Sequence, residues 1–404
     1  MKPITRVAAL AMVGTTVPSL AQADFFADSK GNLELRNFYF NRDFRQDGAR
    51  DKAEEWAQGF LLNAESGYTD GPVGFGIDAL AMIGVQLDSG GGTYGSGLLP
   101  NDGQPPRGSE DEYSKLGLTA KAKYSKSTLR LGDLRLRSPI VSSNDSRLLP
   151  ASFKGGLLNI QEIDNLIVQG GKLTEIRHNN SSNYERMSAL GGTSDEFVFL
   201  GGDYKFTPNL SAGLHYGNLE EVYKQYYGTL VYVLPLGDSQ SVKTDVRYAK
   251  STEDGTFRNV DNKAFGTMVS YNLGAHTFAG AYQRMSGEDP FPYISDPYLV
   301  NFVQINNFSN SEERSWQARY DYDFAAVGLP GLTFMTRYIS GDNVDLGTAN
   351  DGKEWERDMD LGYVIQKGPL KNLGIKWRNA TVRSNFGNDL DENRLIVSYN
   401  LALW

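Results

Sequence analysis

The connections in this chain alternate in length, and that alternation narrows the folds open to it. Segments of about ten residues, enough for a tilted membrane-spanning strand, carry apolar side chains at every second position. They are joined in turn by tight corners and by long polar stretches. Residues 56–68 and 73–87 meet at Thr69-Asp70-Gly71-Pro72, and residues 113–124 and 128–137 meet at Ser125-Lys126-Ser127, where Gly, Pro and Ser supply turn chemistry. Further short turns fall near 161–165, 207–209, 235–240, 272–275, 325–331 and 367–371. Between them lie longer connections near 41–53, 88–111, 137–152, 174–194, 252–262, 287–312, 341–355 and 384–391, with 219–223 as the short exception. Antiparallel strands joined this way gather the tight turns on one side and the long loops on the other. Counted through, the strands number about eighteen, an even number with both chain ends on the turn side.

The last segment shows the strand pattern most cleanly. Leu395, Val397, Tyr399, Leu401 and Leu403 alternate with Ile396, Ser398, Asn400 and Ala402, and the chain ends on Trp404. The stripe fits lipid contact, and the terminal aromatic fits an interfacial girdle. A strand in a soluble sandwich alternates in the same way, so the whole set of features decides. Mean hydropathy is −0.42. Beyond residue 23 there is no run of about 18 apolar residues, which excludes helical spans. The 44 glycines, 22 tyrosines and 20 phenylalanines are abundant, as expected where lipid-facing apolar side chains alternate with polar ones facing a lumen. An open sheet edge in lipid leaves backbone groups unpaired, so such strands must close on themselves. No linker or fixed-period repeat marks a second domain. The expectation is an all-β chain, with residues 24–404 forming a single transmembrane antiparallel β-barrel.

Residues 1–23 read as a secretory signal. Lys2 and Arg6 precede a short apolar run over 7–17, and Ala21-Gln22-Ala23 is a cleavage site. Disulfides are possible after export, yet the chain has no cysteine. That removes thiol chemistry and Cys-bound metal, and His178, His215 and His276 are too scattered for a metal-binding spacing. No cofactor or metal is expected. A net charge of −9 argues against nucleic acid as a partner. No G-x-S-x-G elbow surrounds any serine. Ser89-Gly90-Gly91-Gly92 lacks the Lys-Ser/Thr of a phosphate loop and reads as the tip of the second long loop. The expected setting is the outer membrane of a Gram-negative bacterium, with lipid as the surrounding partner.

One stretch breaks the rhythm. Residues 129–160 begin and end like strands but enclose Pro139, the run Ser142-Ser143-Asn144-Asp145-Ser146, Arg147 and Pro150. Long irregular loops in a compact fold are usually functional. This one is expected to fold into the barrel and set its narrowest point. Parity then selects the lumenal charges. Ile375 and Trp377 take the lipid side, so Lys376 and Arg378 point inward; Arg394 is out of phase with the final apolar stripe; Arg130 lies between Leu129 and Leu131. A charge on the lipid face costs about 2–4 kcal/mol at mid-membrane, and this magnitude decides the parity. Lys376, Arg378 and Arg394 therefore stack along one wall. Arg36, Arg42 and Arg45 lie on or just past the first strand, which closes against the last. They extend that wall, unless Arg42 and Arg45 sit in the exposed first loop. Guanidinium groups pair carboxylates bidentately, and several moderate sites serve a conduit better than one tight site. The bland alternative for each arginine is an ion pair with a local carboxylate such as Asp133 or Asp145. Opposite the basic wall, Asp145, Ser146, Tyr293 and Asp296 are candidates to face a solute. Tyr293 either stacks on an aromatic solute or anchors Phe291-Pro292 against the wall. Tyr184 and Arg186 in the fourth loop are further candidates.

At Asn144-Asp145-Ser146-Arg147-Leu148-Leu149-Pro150 the sequence resembles the OprD family of substrate-specific outer-membrane porins. So do Arg36-Asn37 with Asn41-Arg42-Asp43-Phe44, Phe291-Pro292-Tyr293-Ile294, Asp360-Leu361-Gly362-Tyr363, and the tail Asp391-Glu392-Asn393-Arg394-Leu395-Ile396-Val397-Ser398-Tyr399. The resemblance runs from the signal to Trp404. It implies an eighteen-stranded barrel, monomeric or loosely trimeric, narrowed by its third and seventh extracellular loops. It also implies an arginine and lysine ladder that includes basic residues of two late strands. The implied activity is passive uptake of small carboxylate-bearing solutes, with aromatic acids such as benzoate or vanillate ahead of basic amino acids and small peptides. A general diffusion porin and, more distantly, an outer-membrane hydrolase are the alternatives.

Overall fold

The computed structural model describes residues 22–46, 50–88, 93–103, 108–348 and 351–404. Most of the expected export signal and the Ser89-Gly90-Gly91-Gly92 tip lie outside the described residues. Among those described, eighteen long strands form one antiparallel sheet. They are β1 (Lys30–Phe44), β2 (Lys52–Glu65), β3 (Gly74–Asp88), β4 (Glu112–Tyr124), β5 (Ser127–Leu134), β6 (Ser152–Ile160), β7 (Leu166–Arg177), β8 (Phe197–Thr207) and β9 (Leu210–Leu219). The second half comprises β10 (Tyr223–Gly237), β11 (Gln240–Glu253), β12 (Asp261–Leu273), β13 (His276–Ser286), β14 (Arg314–Asp323), β15 (Leu332–Val344), β16 (Gly352–Val364), β17 (Gly374–Ser384) and β18 (Leu390–Ala402). A six-residue helix, Gln22–Ala27, precedes β1, and a short hairpin, Met187–Ala189 with Gly192–Ser194, decorates the β7–β8 loop.

Each strand pairs with the next, and β1 pairs with both β2 and β18, from Asn32 opposite Ala402 to Phe44 opposite Leu390. Closure leaves no sheet edge for lipid to strand unpaired. At the seam the Trp404 ring lies on Gly31, where a Cβ would meet the ring at 2.5 Å. Only glycine permits that approach. The strands are inverted relative to a soluble core. In β4, Leu116 and Leu118 are 70% and 57% exposed, whereas Lys115, Thr119 and Lys121 are buried. Lipid takes the first pair and the interior takes the second.

The long connections fall on one side, with the short turns and both termini on the other. Two long loops matter for function: L3, residues 135–151, and L7, residues 287–313. β5 and β6, which carry L3, are the shortest barrel strands at 8 and 9 residues. Gly132 has φ +139°, and a Cβ there would strike the Leu118 carbonyl oxygen at 2.1 Å. Its partner across the pair is Gly155, where the β6–β7 register slips. The two glycines let the hairpin bend, and L3 leaves the wall directly after Leu134.

The interior it enters is partly apolar. Leu148 and Leu149 of L3 join Phe38, Phe40, Leu61, Met82 and Tyr113 of the wall and Leu98 and Leu99 of the β3–β4 loop. The root of L3, through Leu136, Ile140 and Val141, packs with Phe291, Ile294 and Leu299 of L7 and with Phe153, Phe197 and Tyr227 of the wall. Phe38 and Phe40 point inward because they seat a loop, not because they line water.

Candidate functional site

L3 and L7 meet inside the barrel. The Asn144 backbone N–H donates to Ser295 Oγ at 3.3 Å, and its side-chain amide donates to the Asp296 carboxylate. Asn144 Oδ1 accepts from the backbone N–H and hydroxyl of Ser146 at 3.0 and 2.9 Å. Asn144 is therefore the junction of the two loops, and Asp145, Ser146 and Asp296 all lie at it. Burial raises the Asp296 carboxyl above its ordinary pKa, and the Asn144 amide opposes that shift. Tyr293 packs on the larger apolar cluster, and its hydroxyl accepts from Asn307 within L7 at 2.8 Å.

Basic side chains from the wall hold L3 by its carbonyls. Arg36 donates to the Arg147 carbonyl at 2.9 Å and to Asp145 at 2.7 Å, and its Nε is taken by Glu34 at 2.8 Å. Lys115 donates to the carbonyls of Pro150 at 2.8 Å and His178 at 2.6 Å. Arg394 is only 1% exposed and ties three elements together. It donates to Glu392 at 2.6 Å, to the Ser146 carbonyl of L3 at 3.4 Å and to the Gln304 carbonyl of L7 at 3.2 Å.

Three guanidinium groups surround one ring. Arg42, Arg147 and Arg394 lie 5.4, 5.3 and 5.1 Å from the Phe40 centroid, within cation–π range. Glu392 answers two of them, accepting from Arg42 at 2.7 Å as well as from Arg394. Arg147 has no carboxylate partner among the described residues and donates instead to Ser96 O at 3.0 Å and Ser146 Oγ at 2.9 Å. Burial, and then the charge of Arg394, pull its pKa below the usual arginine range. It nevertheless stays cationic at neutral pH.

Below this cluster, toward the turn side, Arg378 and Lys376 both pair with Asp360 at 3.0 Å. Arg378 stands directly opposite Arg394 across the β17–β18 pair. Ile375 and Trp377 are exposed to the lipid side, as parity requires. Arg45 is not brought to the constriction: it is 50% exposed at the rim, between Asp43 and Asp391. Arg130 turns inward but sits six strands round the wall from β17, facing cavities of about 500 and 160 Å³. Tyr184 donates to Asp133 beneath Arg177, and Arg186 makes only an exposed 3.8 Å pair with Asp195.

Sequence reasoning did not single out the carboxylates of β16. Glu354, Glu356, Asp358 and Asp360 occupy alternate positions, and all four are buried on the inner face. The first three hold L7 by its N–H groups, while Asp360 holds Arg378 and Lys376. Glu356 accepts from the backbone N–H of Ile305 at 2.9 Å and Asn306 at 2.7 Å, Asp358 from that of Gln304 at 3.3 Å, and Glu354 from the Asn306 side chain at 2.8 Å. The signal was the acidic alternation itself. Arg135 and Arg137 at the root of L3 were also passed over: the segment read as a strand over 128–137 puts both in phase with lipid-facing Leu129 and Leu131, whereas β5 ends at Leu134 and the chain has already turned into the barrel. The result is an interior with guanidinium groups on one wall and buried carboxylates on the next, a fixed field across the section where L3 and L7 meet.

The model of the OprD family of outer membrane porins matches residues 23–403. Porin D of Pseudomonas aeruginosa is 37% identical, the alignment covering 94% of this chain and 92% of Porin D. The crystal structure of Pseudomonas aeruginosa OpdO superposes with a TM-score of 0.87 at 58% identity, covering 95% of this chain and 100% of that one. That of Pseudomonas aeruginosa OpdK with vanillate superposes with a TM-score of 0.88 at 38% identity, covering 94% of this chain and 100% of that one.

Proposed function

Because the chain belongs to the OprD family of outer membrane porins, we propose that it conducts small carboxylate-bearing solutes passively across the outer membrane, with aromatic acids such as benzoate and vanillate as the leading candidates. The protein is a substrate-specific channel and not an enzyme. In this reading residues 1–23 are removed on export, and the conducting unit is one chain, alone or in a loose trimer.

One observation carries the carboxylate reading. Arg378 uses Nε on Asp360, and its two Nη groups make no hydrogen bond among the described residues. Asp360 thus fixes the guanidinium while its fork stays available. Lys376 stands one step nearer the turn side with its ammonium half exposed. A solute carboxylate passing L3 meets Arg147 and Arg42 first, then the open fork of Arg378, then Lys376. Successive moderate sites of this kind permit release as well as entry. The aromatic preference leans on the relative crystallised with vanillate. Tyr293, engaged within L7, supports loop anchoring over solute stacking.

Reversal potentials in planar bilayers test the reading. Wild-type channels are expected to prefer anions, and K376A/R378A is expected to reduce that preference several-fold. Cells that depend on this channel are expected to take up labelled benzoate faster than labelled arginine. An anion preference indifferent to K376A/R378A, or faster arginine uptake, overturns it.

A further inference from the structure

We propose that the cavity beneath L3 shared by Arg130, Arg135 and Arg137 is a second anion site, suited to a solute bearing two carboxylates. The inference rests on the carboxylate-channel reading above and adds the charge of the solute. The cavity has a volume of about 500 Å³, within the range of small-molecule sites. Its polar lining is the three arginines with Ser138, Ser143, Asp145, Asn159 and Gln169, and Leu136, Leu157 and Phe199 offer apolar surface for a carbon skeleton. Asn159 is the last residue but one of β6 and Gln169 the fourth of β7. The cavity therefore lies between L3 and the turn side, where a solute arrives after the constriction.

The charge state of these arginines sets them apart. Arg36, Arg42, Arg378 and Arg394 each hold a carboxylate. Arg130, Arg135 and Arg137 form no ion pair among the described residues. Arg135 donates to the Asn63 amide oxygen. Arg130 Nε is buried with no hydrogen-bond partner at all, an arrangement that native structures rarely leave unanswered. Asp145 lines the same cavity, but Arg36 meets its charge at 2.7 Å. Arg130 and Arg135 also line the adjoining 160 Å³ cavity with Glu65, Asp78 and Asp133, but Lys121 holds Asp78 and Arg177 holds Asp133, and no ion pair joins Glu65 to either arginine among the described residues. Three guanidinium groups without an ion pair exceed what one carboxylate can answer. Two carboxylates on one solute, each engaging a planar fork, answer more of them.

The test compares solutes of matched skeleton and different charge. Succinate against butyrate, and isophthalate against benzoate, are added to the turn side of wild-type channels in planar bilayers, and the concentration that halves the current is read. Each dianion is expected to act at ~10-fold lower concentration than its monoanion partner, the ratio that one additional charge-assisted contact gives. R135Q/R137Q is expected to bring the ratio close to one, and R130Q, scored separately, to lower it in part. Migration of the folded barrel in unheated gels confirms that each variant is assembled. A wild-type ratio near one, or a ratio unchanged in R135Q/R137Q, overturns the proposal. So does inorganic phosphate blocking as well as succinate, since a compact dianion needs no spread of three groups. Wild-type channels with no anion preference at all would instead overturn the carboxylate reading on which the inference stands.

Discussion

L3 and L7 do the same job by opposite means. Both leave the wall, cross the lumen and meet at Asn144. L3 presents carbonyl oxygens to the barrel, and the wall answers with Arg36, Lys115 and Arg394. L7 presents N–H groups, and the wall answers with Glu356, Asp358 and Glu354. The charged anchors of L3 are the conduit's cations, and those of L7 are its anions, with Arg394 shared between the two loops. Holding the loops and setting the field across the pore are thus one arrangement. Disturbing an anchor should change conductance and stability together, and the two loops should respond to different perturbations.

The largest effect is expected at the residue common to both loops. R394M removes the donor to Ser146 O, Gln304 O and Glu392 at once and leaves buried Glu392 with Arg42. Breaking a buried pair from one side costs about 3–5 kcal/mol. The melting midpoint should fall and the single-channel conductance should rise as both loops loosen. Unchanged conductance would mean that the loops keep their seats without the shared guanidinium.

A smaller effect, confined to one loop, is expected at Glu356. Its two oxygens accept from two successive backbone N–H groups. E356Q replaces one acceptor by a donor aimed at an N–H, which strands a buried group at about 1–3 kcal/mol. Open-channel noise should rise while the anion preference set on β17 and β18 persists. A shift in anion preference as large as that of K376A/R378A would erase the distinction between the anchors of L7 and the conducting row.

The pH response should separate the loops again. Glu313, in L7 just before β14, is 1% exposed and accepts from the backbone and side-chain N–H groups of Asn310 at 3.0 and 2.9 Å. Burial, and next the charge of Glu354, raise its carboxyl well above the ordinary carboxylate range. The folded chain therefore holds a proton that the unfolded chain releases. The stability tied to it is complete below the ordinary carboxylate pKa and is lost as pH climbs through the raised value. Noise from L7 should grow as the solution is made alkaline, and E313Q should flatten that dependence. Of the L3 anchors, Arg36 and Arg394 stay cationic while the lysine Lys115 can lose its proton, so the part of the alkaline noise that E313Q removes is the part that belongs to L7. Noise falling as pH rises would refute the assignment.

The same division explains what could be read from the chain alone. Wherever a basic residue sat between two lipid-facing neighbours, as with Arg130, Lys376, Arg378 and Arg394, the cost of charge in lipid determined its direction. Strand number, the sidedness of the loops and the closing of the first strand on the last followed from the same alternation. That logic stops where a strand stops. Arg45 lies beyond β1 at the rim, and Arg135 and Arg137, expected within a strand over 128–137, lie beyond the end of β5 at Leu134 in the lumen, because the bend at Gly132 ends the strand earlier than its alternation suggests. The β16 carboxylates obeyed the alternation plainly. Their purpose lay in the backbone N–H groups of a loop some fifty residues earlier, and only the folded arrangement pairs them.

The smallest effect is expected at the contact between the loops themselves. Asn144 touches Ser295 through a neutral hydrogen bond worth about 0.5–1.5 kcal/mol net and Asp296 through one to a carboxyl group, worth up to about 3 kcal/mol when that group is charged. N144A also releases the Ser146 hydroxyl and amide from Oδ1, so a single variant cannot isolate the junction. A double-mutant cycle of N144A with D296A can, because the Ser146 contacts cancel between its two arms. If the loops are braced chiefly by the wall, the coupling should be at most about 3 kcal/mol and conductance should rise far less than in R394M. A coupling larger than the R394M loss would place the brace at Asn144, with the basic and acidic anchors secondary to it.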